Sequence, residues 1–159
     1  MSYWKQFKPK ACSIALRGAT KDDVLREVVA ELVSGGLLEA KLADAANNAL
    51  IERERVASTG VGQNVAIPHV KLAGLSQAVA SLCVHSRGVE WAAVDGDAVH
   101  LLFTVLRPDR PSDQHDPERH LDMMRWIARL ARSSDFRAFA LQAKTRTALV
   151  DLLKEMSAV

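Results

Sequence analysis

The run Ser58-Thr59-Gly60-Val61-Gly62-Gln63-Asn64-Val65-Ala66-Ile67-Pro68-His69 gathers residue types that could hold a phosphoryl group on an imidazole. A histidine ring near neutral pH offers an unprotonated nitrogen, which is a usable nucleophile. Ahead of it, Gly60 and Gly62 permit left-handed backbone, so successive N–H groups can turn inward around an anion. Ser58 and Thr59 add hydroxyl donors. Val65-Ala66-Ile67 reads as a short strand, and Pro68 ends its ladder by lacking an N–H while holding the preceding residue extended. This predicts His69 at the strand end, exposed and aimed by stiff backbone.

Other titratable residues are weaker candidates. His120 falls in the first turn of a helix that Asp116 and Pro117 would open, where the positive end of the helix dipole favours an anion. Arg53 sits in the last turn of an earlier helix, inside an alternating charge run, Glu52 to Arg55, of the kind that normally faces solvent. His85 and His100 lie within apolar strands and read as structural. His115 and His120 are five residues apart across a helix start, unlike the i, i+4 pair of a helical zinc site, so no metal is expected.

The elements that must position these groups alternate in type. Thr20 caps an amphipathic helix with Val24, Val28, Leu32 and Val33 on one face and Gly35-Gly36 as its stop. A second helix covers Ala40 to Val56. Strands follow at Ala78 to His85, near Val89 to Trp91, and at Val99 to Leu106, with turns at Arg87-Gly88 and Asp95-Gly96. Arg107 to Glu118 carries Pro108, Pro111 and Pro117 and predicts a solvated loop. Helices then run to Arg132, from Asp135 to Ala143, and from a Thr145 cap to about Met156, with Met123, Trp126, Ile127 and Leu130 as core. Interleaved strands and helices predict an α/β fold, and 159 residues at 48% hydrophobic suit one domain over 1–159.

Charge and hydropathy exclude several classes. The 21 basic residues are interspersed with 19 acidic ones for a net +2, so there is no basic stripe for nucleic acid. The apolar runs from Ala78 and from Leu101 are far shorter than the roughly 18 residues a bilayer span requires. The N-terminus lacks the apolar stretch of a secretory signal, which predicts a cytoplasmic protein. Cys12 and Cys83 lack metal-ligand spacing and read as buried free thiols.

The run Arg53 to His69, RERVASTGVGQNVAIPH, resembles the signature of the fructose/mannitol-type enzyme IIA components of the bacterial phosphoenolpyruvate-dependent phosphotransferase system, which include a nitrogen-regulatory branch. The likeness extends from about Cys12 to Met156, and HLDMMRWIARLA from His120 is similar to the helix bearing the family's second histidine. The resemblance implies a central mixed sheet with helices on both faces and phosphorylation of His69. It implies that His120 and Arg53, with Ser58, Thr59, Gly60 and Gly62, surround the phosphoryl group. It implies no metal or organic cofactor. The implied donor is a phosphohistidine carrier protein, HPr or its nitrogen-system counterpart, and the implied recipient is a IIB domain or a regulatory target. No fused IIB or membrane domain follows within the chain, which favours the free-standing nitrogen-regulatory branch. The alternatives are a IIA feeding a sugar permease and a non-phosphorylated interaction module. Asn64 and Val70 stand where the family usually has Gly. Asn tolerates left-handed backbone, whereas Val70 is expected to shift or strain it.

Overall fold

The computed structural model describes residues 2–157 and places two helical layers on a five-stranded sheet. Helix α1 (Lys21–Ser34) begins where the Thr20 hydroxyl accepts from Asp23 N–H, and Gly36, at φ +77°, turns the chain out of it. A short 3-10 turn (Ala40–Leu42) leads into α2 (Ala43–Val56), so the second predicted helix starts in a tighter turn. Helix α3 (Pro117–Arg132) opens as its sequence predicts, with Asp116 accepting from Glu118 N–H and Pro117 in first position. Helix α4 (Ser134–Gln142) is capped by Ser133 and α5 (Arg146–Met156) by Thr145.

Strands β1 (Gly60–Gly62), β2 (Val65–Ala66), β3 (His69–Leu72), β4 (Val79–Val89) and β5 (Val99–Pro108) form a mixed sheet. Both β2 and β3 run parallel to β5, β4 runs antiparallel on its other side, and β1 folds back on β2. Side chains of β5 alternate faces. Leu101, Phe103 and Val105 meet α3, α4 and α5 through Met123, Ile127, Phe136 and Leu153. Leu102 and Leu106 meet α1 and α2 through Val28, Leu32 and Leu50. Helices therefore cover both faces, as expected.

Three local expectations are corrected. Pro68 does not end a ladder: Val65 pairs with Leu101 and His69 with Val105, so β2 and β3 keep one register across Ile67-Pro68. Proline loses only its donor, and its carbonyl still accepts from Val105 N–H at 2.9 Å. His69 thus opens β3 instead of closing a strand. Likewise Arg87-Gly88 is no turn. It is an irregularity inside β4, with Gly88 at φ +81°, so Val89 belongs to that strand and Trp91 lies beyond it. Val70 pairs with Leu106 as an ordinary strand residue outside the left-handed set, so the expected strain is absent. Asn64, at φ +69°, does adopt left-handed backbone.

Candidate functional site

The segment before His69 is a tight hairpin. Gly62 pairs with Val65, leaving Gln63 and Asn64 as the loop, both left-handed at φ +56° and +69°. Two positive φ values in a two-residue loop are the mark of a type I′ turn. Gln63 N–H donates to Asp95, whose carboxyl is held below its usual range by that bond and by Asp97 N–H. The glycines therefore shape a hairpin, and Gly62 lines a cleft between its tip and Ala128, Ala131 and Arg132 of α3. A Cβ on Gly60 would come within 2.6 Å of the Ala93 Cβ, so glycine serves close packing there. Gly62, at φ +92°, sits at the hairpin tip opposite Val65, which is four residues or about 13 Å of extended chain from His69.

The two hydroxyls turn inward as well. Ser58 Oγ donates to the Trp91 carbonyl at 2.9 Å and accepts from Gly60 N–H at 3.0 Å. The buried Thr59 donates its hydroxyl to Glu54. Arg53 is half-buried in the last turn of α2, and its guanidinium donates to the Ala57 carbonyl at 2.6 Å. The antiparallel run of the hairpin extends to Thr59, whose C=O accepts from Ile67 N–H.

His69 itself is exposed, and its Nδ1 lies 2.7 Å from the Ile67 carbonyl oxygen. A carbonyl only accepts, so Nδ1 carries the proton and Nε2 keeps a free lone pair. His120, half-buried on α3, is the neighbour that feels it. Its pKa is pushed from 6.5 down to about 4, first by burial, then by Arg107, His115 and His69. Its Nδ1 is buried without a partner among the described residues, and its ring meets His115 at 5.3 Å. Arg107 stands in β5 opposite Lys71, two residues past His69. His120 thus feels two other imidazoles and a guanidinium, and it lines, with His115 and Arg119, a cleft of about 420 Å³. Such a cluster disfavours a proton and favours an anion.

Sequence does not single out Arg107 and His115 as neighbours of His120. His115 had been considered only as a metal ligand, and the loop's lack of periodicity gives no sign that it folds against His120. Glu54 was missed altogether. Its carboxylate, 7% exposed as a residue, accepts from Lys21 Nζ at 3.1 Å, Thr59 N–H at 3.2 Å and Trp91 Nε1–H at 3.2 Å. The helical spacing Ala46, Leu50, Glu54 carried that signal, since it puts Glu54 on the buried stripe of α2. His85 and His100 are structural, as expected: His85 Nε2 bonds the Gly18 carbonyl and His100 Nδ1 the His85 carbonyl. Cys12 and Cys83 are buried free thiols, pushed by burial up to about 12 and about 11.

Comparison with known proteins gives this arrangement its family. The model described as "Phosphoenolpyruvate-dependent sugar phosphotransferase system, EIIA 2" matches residues 5–156, and the chain belongs to that family of phosphotransfer components. It is 32% identical over 148 residues to a nitrogen regulatory protein of Pseudomonas aeruginosa, covering 93% of this chain and 92% of the relative. It is 30% identical over 138 residues to a fructose-specific EIIA component of Haloferax volcanii, covering 87% and 85%. The fold matches the crystal structure of the nitrogen regulatory protein IIA-Ntr from Neisseria meningitidis at a TM-score of 0.81 and 23% identity, over 94% and 97% of the two chains. It also matches a structure titled as the complex of enzyme IIA mannitol with phosphorylated enzyme IIB mannitol from Escherichia coli, at 0.69 and 17% identity, over 94% and 99%. No helix among the described residues is long and apolar enough to cross a membrane.

Proposed function

We propose that His69 Nε2 is the phosphoryl acceptor of this IIA component, taking the group from a phosphohistidine carrier protein in the cytoplasm. The observation that carries this reading is the 2.7 Å bond from Nδ1 to the Ile67 carbonyl, which leaves Nε2 unprotonated on an exposed ring. The Nε2 lone pair attacks phosphorus while the carrier's N–P bond breaks. The electron pair of that bond returns to the carrier imidazole, and the phosphoryl group passes across in line. Such transfers ask the protein for position and charge more than covalent chemistry. Arg107, His115 and His120 supply the cationic or proton-donating surroundings, with Arg53 at the hairpin's start.

The recipient is a IIB domain or a regulatory target. The Pseudomonas relative, named a nitrogen regulatory protein and covered almost end to end, favours the regulatory role, and the fructose-specific relative supports sugar uptake as the second reading. Incubation with phosphoenolpyruvate, enzyme I and each carrier protein, followed by intact-mass measurement, tests the acceptor. Wild type should gain one phosphoryl, His69→Ala none, and His85→Ala the full amount. Labelling that persists in His69→Ala overturns the reading. A wild-type chain that takes up nothing from any carrier would make it a non-phosphorylated interaction module.

A further inference from the structure

The buried carboxylate of Glu54 stands apart from the opening around His69, yet an unbroken series of hydrogen bonds connects them. Glu54 holds Thr59 twice, through its N–H at 3.2 Å and through its hydroxyl. The Thr59 carbonyl accepts from Ile67 N–H at 3.0 Å. The Ile67 carbonyl accepts from His69 Nδ1–H at 2.7 Å. Glu54 is held as well by Lys21 of α1 and by the Trp91 indole, which also donates to the Thr59 hydroxyl oxygen at 3.2 Å. Every oxygen of the carboxylate is engaged, so its position is over-determined.

We propose that Glu54 is a positioning residue for His69, holding the Ile67 carbonyl where it selects the Nδ1–H tautomer and keeps the Nε2 lone pair free. The inference rests on His69 as acceptor. Stability alone is a poor reason for this arrangement. A buried Lys–Glu pair seldom stabilises a fold more than apolar residues of the same volume, but it does select one geometry among several. The geometry selected here is consequential. A neutral imidazole interconverts tautomers readily, and the bond made by one nitrogen decides which nitrogen is left to react. Should Thr59 drift, Ile67 would lose its partner on β1's approach. The ring could then carry its proton on Nε2, and the nucleophile would be lost without any change in His69 itself.

The test uses the whole chain, labelled with 15N at the histidine rings and kept free of any phosphoryl donor. Long-range proton–nitrogen spectra of wild type should show His69 as the Nδ1–H form. In Glu54→Gln, which keeps shape but replaces an acceptor by a donor, the Nε2–H form should grow. Initial phosphoryl uptake should fall by about threefold to tenfold, as for partners within one hydrogen-bond network. Arg146→Met breaks the ion pair with Glu31, which touches no member of the series, so it should lower stability while leaving the His69 tautomer at its wild-type population. An unchanged tautomer in Glu54→Gln overturns the proposal. So does an equal tautomer shift in Arg146→Met, which would mean general loosening. Should Glu54→Gln not fold, Thr59→Val deletes only the hydroxyl contact and must shift the tautomer in the same direction, or the proposal fails. These spectra need no phosphorylation, so their outcome is separate from that of the His69→Ala mass measurement.

Discussion

His69 and His120, whose charges are coupled, are held in opposite ways. His69 opens a strand in register with β5, its ring proton bound to the Ile67 carbonyl and the residues before it braced by Glu54. His120 stands one turn into α3 beyond a proline-rich loop, its Nδ1 without a partner. With His69 as the proposed acceptor, the difference would divide the labour of phosphoryl transfer. A nucleophile must present the correct nitrogen before its partner arrives, which favours a tautomer fixed by the protein. A group that stabilises incoming charge must change its own protonation as the charge arrives, which favours a ring left uncommitted. Burial, and after it the Arg107 guanidinium, keep His120 neutral in the resting site, and a phosphoryl dianion would reverse that balance.

The strongest way to break this contrast is to remove the uncommitted ring. His120→Ala should still acquire a phosphoryl group on His69 but should pass it on about 100-fold more slowly, the low end for losing one positioned donor in a partly exposed site. Rapid-quench measurement of transfer to a IIB domain or other recipient checks this. Onward transfer at the wild-type rate would reduce His120 to a helix-start residue.

A gentler probe titrates it. With a folded-state pKa of about 4 against an ordinary 6.5, His120 binds fewer protons folded than unfolded between those values. Its contribution to stability is therefore present above pH 6.5 and is lost as the pH falls toward about 4. Nuclear magnetic resonance of the ring C–H protons should give a midpoint well below that of an exposed histidine, moving upward once His69 is phosphorylated. A midpoint that ignores phosphorylation would show that the two rings do not communicate.

How far the sequence foretold this depends on the range of the interaction. Caps and periodicities are local, and Thr20, Asp116 and Thr145 were each legible because a helix start is settled within four residues. The hairpin was half legible: its glycines announced a turn, but whether the N–H groups would face an anion or a partner strand depends on β5, far along the chain. Ser58 and Thr59 looked like phosphate donors because hydroxyls beside a nucleophile suggest that role. Trp91 and Glu54, which claim them, lie on other elements. Arg107 was hidden for the same reason. Its place near His69 follows from strand register, which no short window contains.

Val70 offers the smallest effect and the sharpest reading of that register. The expectation from sequence was that a β-branched residue at a family glycine stores strain, so that Val70→Gly would relieve it. On that expectation stability would stay level or fall slightly while the rate of phosphoryl uptake changed, and the structure removes the strain behind it. Val70 is an ordinary strand residue opposite Leu106, outside the left-handed set, and its side chain packs against the α1–α2 face of the core. Glycine there recovers no strain, loses partly buried methyl groups and adds freedom to the unfolded chain. The sum should be a destabilisation of about 1–2 kcal/mol. Urea unfolding should show a lower midpoint at an unchanged slope, since the surface exposed on unfolding barely alters. Phosphoryl uptake, measured where both proteins are folded, should stay within about twofold of wild type, because the Ile67 carbonyl and the His69 ring precede the substitution and keep their partners. A more stable Val70→Gly would mean that β3 is strained after all, and that the rigidity attributed to the His69 side belongs to a backbone under tension.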